Sequence, residues 1–384
     1  MANNAKFPFG NLLFLIITFV FQVSCTLNPI TYNSGPPYIP PVLNEVSSFN
    51  DQVTGIAVSS EDRIFVSFPR WDNDPRYSLA ELHTDGSLRP YPDSDWNHWG
   101  KDTANNPDAH FISVQSIFIN GKTLWVLDSP SPFFRGLFPG TAKLVAIDLG
   151  DNSVKKVIKF DKTVVQKGSY LRNVCIDQWE TMAYISDAGT GALIVTNLDT
   201  GYSRRVLADD PSTKAESGEV LKIGDKELED ETGKPLQFHV DGITLDAEST
   251  FLYYHALTAR TLYRIKTIYL NDPNFSGKEL ADHVERLADT GVAAGLAMDS
   301  DYNLYMAAPE ESAIKRYRVY DGSLVTLVRD DRILWPDGIC AAPLDFLYFT
   351  ASQFNRMPYL NRGKDGRMLP YRLFRIRREL MPAT

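Results

Sequence analysis

The chain contains the stretch Asp241-Gly242-Ile243-Thr244-Leu245, which is followed by Phe251-Leu252-Tyr253-Tyr254-His255. A polar and a small residue open a short apolar segment. The polar turn Asp246-Ala247-Glu248-Ser249 reverses the chain, and a second segment rich in aromatic residues runs back. Short apolar segments separated by polar turns are typical of paired β-strands. The stretch therefore predicts an antiparallel strand pair.

The same unit occurs six times between Gly55 and Gln353, and its openings lie 43 to 69 residues apart. Its first segments are 54–58, 115–119, 172–176, 241–245, 294–298 and 337–341, and its second segments are 63–67, 123–127, 182–186, 251–255, 303–307 and 346–350. Most copies are followed by two further strand-like segments. Four strands per copy and six copies predict an all-β, six-bladed β-propeller with four-stranded blades. A β-sandwich is the alternative, and six copies of one unit argue against it.

Segments at both ends of the repeat have the pattern of strands. Tyr371–Arg377 alternates apolar and polar residues, and the segment around Leu43–Phe49 precedes the first unit. We expect a strand from each terminus to close the ring, because closure removes exposed sheet edges. The longest insertion, Ala208–Pro235, is charged and contains glycine, which predicts a mobile surface loop.

The N-terminus has the pattern of an export signal. Lys6 precedes the apolar run Leu12–Phe21, and the small residues Ser24 and Cys25 follow it. Residues 1–25 therefore predict a signal peptide, and residues 26–384 a single propeller domain. The run is shorter than the roughly 20 residues of a membrane span. A lipid anchor at Cys25 is a second interpretation, which is weakened by Gln22 at the position where such signals usually carry leucine.

The expected location is thus secreted or extracellular, or periplasmic or cell-surface in a bacterium, with no membrane span. The net charge of −9 and the pI near 5.3 argue against a nucleic-acid partner. Only Cys175 and Cys340 remain in the mature chain, on units three and six. Opposite blades of a ring are too far apart for the roughly 7 Å that a disulfide requires. We therefore predict two free, buried thiols.

An ordered set of motifs resembles the major royal jelly protein and Yellow family over about Ser48 to Ile376. The motifs are Phe68-Pro69-Arg70-Trp71, Leu88-Arg89-Pro90-Tyr91-Pro92-Asp93, Leu124-Trp125-Val126-Leu127-Asp128-Ser129, Tyr184-Ile185-Ser186-Asp187, Asp241-Gly242-Ile243-Thr244-Leu245, Leu252-Tyr253-Tyr254-His255-Ala256-Leu257, Trp335-Pro336-Asp337-Gly338 and Ser352-Gln353-Phe354-Asn355-Arg356-Met357-Pro358. The resemblance implies a secreted six-bladed propeller. Relatives include nutritive and sterol-binding proteins, salivary proteins that bind biogenic amines in the central channel, and pigment-pathway proteins credited with dopachrome conversion. The family therefore does not fix one function.

The residues that open the six innermost strands are candidates for a binding site, because they should surround one mouth of the central channel. They are Thr54, Gln115, Arg172 with Asn173, Asp241, Ala294 and Asp337. The alternative is that these polar residues only satisfy turn backbones. We predict a small-molecule site, for an aromatic, amine or sterol-like ligand, at Thr54, Gln115, Asn173, Asp241, Asp337 and Asn355. Trp71, Phe354 and Tyr254 are the aromatic candidates.

An enzyme is the main alternative function, either a metal-dependent lactonase-type hydrolase or a dopachrome-type isomerase. Propellers of the gluconolactonase type, which are distantly similar, hold a divalent cation in this ring with a Glu from the first unit. Here that position is Thr54, and Arg172 adds a positive charge, both of which weaken a Ca²⁺ site. We expect no cofactor; if Ca²⁺ or another divalent cation binds, its ligands are Asn173, Asp241 and Asp337.

Other titratable residues carry weaker signals. Asp128 and Asp187 end equivalent second strands, where they either face the channel or cap a turn, and His239 and His255 flank the fourth strand pair. No serine-nucleophile elbow, zinc-protease motif or phosphate-binding loop occurs. A purely structural or interaction role for the propeller stays open as a third alternative.

Overall fold

The computed structural model describes Met1 and residues 41–131, 137, 140–275 and 277–378. Six antiparallel four-stranded sheets are present, one for each copy of the repeated unit. The two apolar segments of each copy form the two innermost strands of a blade. The predicted six-bladed propeller is therefore confirmed.

The first strand of the described residues is β1 (Asn44–Phe49), which belongs to the last blade. The next three blades follow the chain in order, from the innermost strand outwards. Blade 1 contains β2 (Ile56–Val58), β3 (Ile64–Ser67), β4 (Leu79–Leu82) and β5 (Leu88–Pro90). Blade 2 contains β6 (Val114–Asn120), β7 (Thr123–Asp128), β8 (Lys143–Asp148) and β9 (Val154–Lys159). Blade 3 contains β10 (Leu171–Ile176), β11 (Met182–Asp187), β12 (Ala192–Asn197) and β13 (Ser203–Val206).

Along the chain, blade 3 is followed by a small hairpin, β14 (Lys222–Ile223) and β15 (Lys226–Glu227). Blade 4 contains β16 (Val240–Leu245), β17 (Phe251–Ala256), β18 (Thr261–Lys266) and β19 (Glu285–Asp289). Blade 5 contains β20 (Leu296–Met298), β21 (Asn303–Ala308), β22 (Ala313–Arg318) and β23 (Leu324–Arg329). Blade 6 contains β24 (Pro336–Ala341), β25 (Phe346–Ala351) and β26 (Tyr371–Arg377), with β1 outermost.

The helices are short connections between strands. They are α1 (Ser94–Asn97), α2 (Thr267–Asn271) and α3 (Gly277–Ala281), with single 3₁₀ turns at Pro107–Ala109, Pro211–Thr213, Pro309–Glu311, Phe354–Arg356 and Pro358–Leu360. Among the described residues, no helix is long and apolar enough to cross a membrane. The predicted signal peptide, residues 1–25, lies outside the described residues apart from Met1.

The ring is closed by strands from both termini, as predicted. β1 pairs antiparallel with β26, so that Asn44 lies opposite Arg375 and Phe49 opposite Tyr371. Phe49 is buried and its ring meets that of Phe68 in blade 1 edge-on, with centroids 5.5 Å apart. The closing strand therefore completes blade 6 and also packs against the first blade.

Two faces of the ring follow from this strand order. The first strand of every blade runs away from one face, and the chain returns along the second strand. We call the face where the innermost strands end the turn face. The hairpin turns between the first and second strands, and the connections between the third and fourth strands, all lie there.

Buried apolar residues form six clusters, one at each interface between neighbouring blades. The cluster between blades 3 and 4, for example, contains Tyr184 and Tyr254, which are fully buried. Each large side chain buried in this way contributes roughly 1.5–3 kcal/mol to folding. The aromatic residues of the second strands therefore pack mainly between neighbouring blades.

The insertion 208–235 differs from the predicted mobile surface loop. Its Leu221 and Leu228 are buried in the cluster between blades 5 and 6. The backbone N–H of Glu216 donates to the carbonyl of Thr258 at 2.8 Å, which attaches the segment to blade 4. The many charged residues of the segment suggested a mobile loop. The segment is instead held against the propeller by the burial of Leu221 and Leu228.

Candidate functional site

The polar residues at the strand openings owe their positions to β-bulges. In blades 2, 3, 4 and 6 the pairing of the innermost strand with its neighbour is interrupted at the opening. A bulge leaves a residue unpaired and redirects its side chain. The interrupted positions hold Gln115, Arg172 with Asn173, Asp241 and Asp337.

Arg172 joins three of these blades through ion pairs. Its guanidinium Nη2 donates to Oδ1 of Asp337 in blade 6, and its Nε lies 3.5 Å from Oδ1 of Asp241 in blade 4. Asn173 Nδ2 donates to the same Asp241 oxygen at 2.7 Å. All three charged side chains are at least 95% buried. We call Arg172, Asp241 and Asp337 the charged triad.

Burial controls the protonation of the triad. Removal from water raises the pKa of Asp241 from 3.8 to about 7, although Arg172 acts in the opposite direction. Burial also raises the pKa of Asp337, again against Arg172. Burial opposes the charge on Arg172, but the two carboxylates outweigh it and raise the pKa of the guanidinium. Loss of the Asp241 proton therefore adds one negative charge to the buried triad, and burial shifts this loss to higher pH.

Aromatic side chains cover the triad on the face opposite the turn face. The guanidinium of Arg172 lies 5.8 Å from the ring centroid of Trp71. Trp71 Nε1 donates to the Tyr170 hydroxyl at 3.0 Å, and that hydroxyl donates to Gln115 Oε1 at 3.0 Å. Phe354 packs against Trp71 with centroids 5.2 Å apart. Trp71 and Phe354 thus form a cap over the charged residues.

A cavity of about 620 Å³ runs from the triad to the turn face. Its inner end is polar and is formed by Thr54, Gln115, Arg172, Asn173 and Asp337. Its walls are largely apolar and include Ile56, Ile117, Phe118, Val174, Ile243, Leu296, Met298 and Ile339. Its mouth is formed by exposed residues of the hairpin turns, among them Ser60, Gln178, Ala247, Ser300 and Pro343. The channel therefore opens at the turn face.

The six predicted site residues divide into four that line the cavity and two that do not. Thr54, Gln115, Asn173 and Asp337 line the cavity, whereas Asp241 lies behind Asn173 and outside the lining. Asn355 is in the 3₁₀ turn that carries Phe354, and it does not line the cavity either. Whether any of them binds a ligand stays a prediction.

Two of the aromatic candidates belong to the cap and one to the core. Trp71 lies over the guanidinium of Arg172 at the charged end of the channel, and Phe354 packs against Trp71. Tyr254 lies in the cluster between blades 3 and 4, where its hydroxyl is 2.7 Å from Ser212 Oγ. Its role is inter-blade packing.

Asp128 and Asp187 cap turns rather than face the channel. Asp128 accepts from the backbone N–H groups of Ile112 and Ser113 at 2.9 and 2.7 Å and pairs with Lys143. Asp187 accepts from the N–H of Tyr170 and pairs with Arg205. The turn-capping alternative accounts for both carboxylates.

The central role of Arg172 in the ion pairs was not predicted from the sequence. Cys340 and Phe118 were not predicted to line the cavity. The partners of Arg172 lie 69 and 165 residues away along the chain (172 to 241 and 172 to 337), so no local pattern connects them. Cys175 and Cys340 are both free, as predicted, and Cys175 is buried. Cys340 is half-buried because it lines the cavity, which corrects the prediction that both thiols are buried.

The residues do not fit a divalent cation. The guanidinium of Arg172 already pairs with Asp241 and Asp337, the two carboxylates that a cation would need. A hard cation would have to displace a buried positive charge to reach them. Within the part of the chain that the structure describes, no group of three or more His, Cys, Asp or Glu side chains is arranged to hold a metal.

Comparisons with known structures agree with the architecture. A structural genomics protein of unknown function from Bacteroides thetaiotaomicron matches with a TM-score of 0.56 at 11% identity, over 88% of this chain and 76% of that one. A luciferin-regenerating enzyme matches with a TM-score of 0.53 at 11% identity, over 88% and 95% of the two chains. A virginiamycin B lyase from Staphylococcus aureus gives 0.50 at 11% identity, over 88% and 100%. At these identities the likeness extends to the fold alone.

Sequence comparison is more specific. No curated protein sequence matches the chain. The family model described as major royal jelly protein matches residues 112–359, which is 248 of the 384 residues and includes five of the six innermost strands. The chain therefore belongs to the major royal jelly protein family.

Proposed function

We propose that the protein is secreted and binds a small amphiphilic molecule in its central channel. The observation that carries the proposal is the cavity of about 620 Å³, which has apolar walls and a charged inner end. Ligand pockets of roughly 300–1,000 Å³ with mostly apolar walls and a few polar groups are typical of small-molecule sites. Membership of a family whose proteins are typically secreted supports the location.

The side chains at the inner end of the cavity indicate which group of the ligand would bind there. Asp337 lines the cavity, and its Oδ2 is buried without a hydrogen bond of regular geometry among the described residues. An unpaired buried carboxylate oxygen is costly unless a donor reaches it. The proposed ligand therefore places a hydroxyl or ammonium group at Asp337 and its apolar or aromatic body between the walls.

Catalysis is less well supported. Asp241 has a pKa suited to proton transfer near neutral pH, but it does not line the cavity. The lactonase alternative needs a metal, and Arg172 occupies the position between the carboxylates. Binding is therefore the function we favour over hydrolysis or isomerisation.

The test measures binding of three probes to the mature protein by calorimetry: tryptamine, indole-3-propionate and cholesterol. We expect tryptamine to bind, and Asp337→Asn to weaken it at least tenfold, because the carboxylate that accepts its ammonium group is lost. Ala341→Trp fills the channel and should weaken every probe that binds. Asp301→Asn, an exposed change outside the cavity lining, is the matched control.

Two results would contradict the proposal. If indole-3-propionate binds more tightly than tryptamine, the inner end of the channel binds an anionic group through Arg172, and not a cationic group through Asp337. If both Asp337→Asn and Ala341→Trp bind the probes with unchanged affinity and melt near the temperature of the parent, the ligand does not bind in the channel. Secretion is tested separately by N-terminal sequencing of protein recovered from culture medium, which should begin near residue 26.

A further inference from the structure

Large exposed apolar side chains are concentrated on one arc of the turn face. Trp179 is 65% exposed, Tyr320 91% and Leu344 66%. The complete arc spans the consecutive blades 3 to 6 and consists of Trp179, Tyr202, Ile268, Tyr302, Tyr320 and Leu344. Single exposed apolar residues are ordinary, but several on one face of neighbouring blades are typical of an interaction surface. We call these six residues the apolar arc.

Hydrogen bonds and an ion pair join the turns of blades 3 to 6 that carry the arc. Gln178, next to Trp179, donates from Nε2 to the carbonyl of Glu248 in the next blade at 2.8 Å. The hydroxyl of Tyr302 donates to the carboxylate of the same Glu248. Arg378 donates to the carbonyl of Ala342 at 3.0 Å and lies 3.6 Å from Asp299, which joins blades 5 and 6. A surface held in this way loses little conformational entropy when a partner binds.

The exposed charge of the turns in the arc is mostly negative. The exposed charged residues in the turns 177–180, 198–202, 246–250, 299–302, 320–322 and 342–345 are Asp199, Glu248, Asp301 and Asp321. None of the exposed residues in these turns is a lysine or an arginine. Exposed cations occur near the arc at strand or helix positions, at Lys266, Lys278, Arg286 and Arg377. Lys278 lies in the connection that carries Ile268, together with the exposed carboxylates Glu279 and Asp282. Carboxylates and aromatic rings therefore lie side by side.

We infer that the apolar arc docks a basic protein segment in which arginine or lysine alternates with apolar residues. Guanidinium and ammonium groups are attracted by carboxylates and by the faces of Trp and Tyr rings. The apolar residues of such a segment would cover Leu344 and Ile268. A second copy of this chain is disfavoured because its net charge is −9. Anionic membranes and nucleic acids are repelled for the same reason.

The test uses two labelled 12-residue peptides, one alternating Arg and Leu and the other alternating Glu and Leu. Fluorescence anisotropy with the mature protein should show binding of the Arg–Leu peptide, weakened by added salt, and none of the Glu–Leu peptide. Trp179→Ala combined with Tyr320→Ala should lower the affinity at least tenfold. Asp301→Lys combined with Asp321→Lys should do the same, because it replaces two of the four exposed carboxylates in these turns by ammonium groups.

The controls separate docking on the arc from general attraction to an acidic protein. Asp85→Lys with Asp151→Lys reverses two charges on turns of blades 1 and 2, and each of these carboxylates accepts from a serine two residues on, as Asp321 does. This control should change the affinity less than twofold. An equal loss in the control, or no loss in the arc variants, would overturn the inference. Tighter binding to phosphatidylserine vesicles, or a dimer abolished by Trp179→Ala, would overturn it in favour of a membrane or a second copy.

These outcomes are independent of the proposed ligand site. The arc variants change exposed side chains that do not line the cavity. They should leave the affinity for tryptamine within twofold of the parent value. Failure of peptide binding with intact tryptamine binding would therefore reject the arc alone.

Discussion

At the scale of single residues, Arg172 holds the channel end together at an electrostatic cost. It neutralises two buried carboxylates that lie on other blades, 69 and 165 positions along the chain. A buried ion pair recovers its desolvation cost only when its geometry and hydrogen bonds are good, and losing one partner is strongly unfavourable. With two carboxylates for one guanidinium, the triad carries one negative charge too many unless a proton or a ligand cation compensates.

This imbalance predicts how stability depends on pH. Asp241 has a pKa near 7 when folded and 3.8 otherwise, so the folded protein binds the additional proton between about pH 4 and pH 7. Its contribution to stability is therefore present below pH 4 and is lost as the pH rises through 7. Asp337, whose pKa is also raised, acts with the same sign.

Asp241→Asn removes the titration while keeping the oxygen that accepts from Asn173. The melting temperature of the parent should fall between pH 5 and pH 8 more steeply than that of the variant, and at pH 8 the variant should be at least as stable. Asp301→Asn, on the surface, serves as the control and should follow the parent. Parallel curves for the parent and Asp241→Asn would show that Asp241 does not titrate in this range.

At the scale of elements, the small residue after the polar opening has a packing role. A side chain at Gly338 would meet the carbonyl oxygen of Thr54 in the next blade, and Gly295 and Gly242 approach the neighbouring blade in the same way. The backbone N–H of Gly338 also donates to that Thr54 carbonyl at 3.1 Å. Neighbouring innermost strands can approach this closely only without a Cβ atom.

Gly338→Ala should therefore destabilise the protein, whereas Gly277→Ala should not. Overpacking of this kind typically costs about 1–3 kcal/mol. Gly277 has nothing within 4 Å of the added Cβ and lies at the start of a helix, where alanine is tolerated. Urea unfolding of both variants measures the difference. Equal stabilities would mean that the blades move apart to accept a Cβ without cost.

The repeated elements explain how far the sequence could be interpreted. The alternation and turns of each unit were sufficient to predict the blades and the closing strand, because those features are local in the chain. The bulges were not predicted, and neither was the result that Asn173 and Asp337 line the cavity while Asp241 does not. The position of Asn355 and the burial of Leu221 also depend on contacts between distant segments, which a single sequence does not reveal.

At the scale of the whole molecule, the ring depends on joining its ends. β1 supplies the outermost strand of blade 6, and its Phe49 reaches the cluster between blades 6 and 1. Without β1, β26 would present an unpaired edge, which is an aggregation hazard. Arg372 and Glu45 add an ion pair at 2.5 Å across the same junction.

Closure of the ring can be tested by shortening the chain from its N-terminus. A mature chain that begins at Asn50 lacks β1, whereas one that begins at Pro41 keeps it and is the matched control. Loss of the Phe49 side chain alone should cost about 3–5 kcal/mol, as for other buried phenylalanines. We expect the shorter chain to melt well below the control and to associate through the edge of β26. A synthetic peptide with the sequence of residues 43–49 should raise its melting temperature by pairing with that edge, and a peptide with these residues in scrambled order should not. Equal melting temperatures for the two shortened chains would show that blade 6 is stable with three strands and that the ring does not need its N-terminal strand.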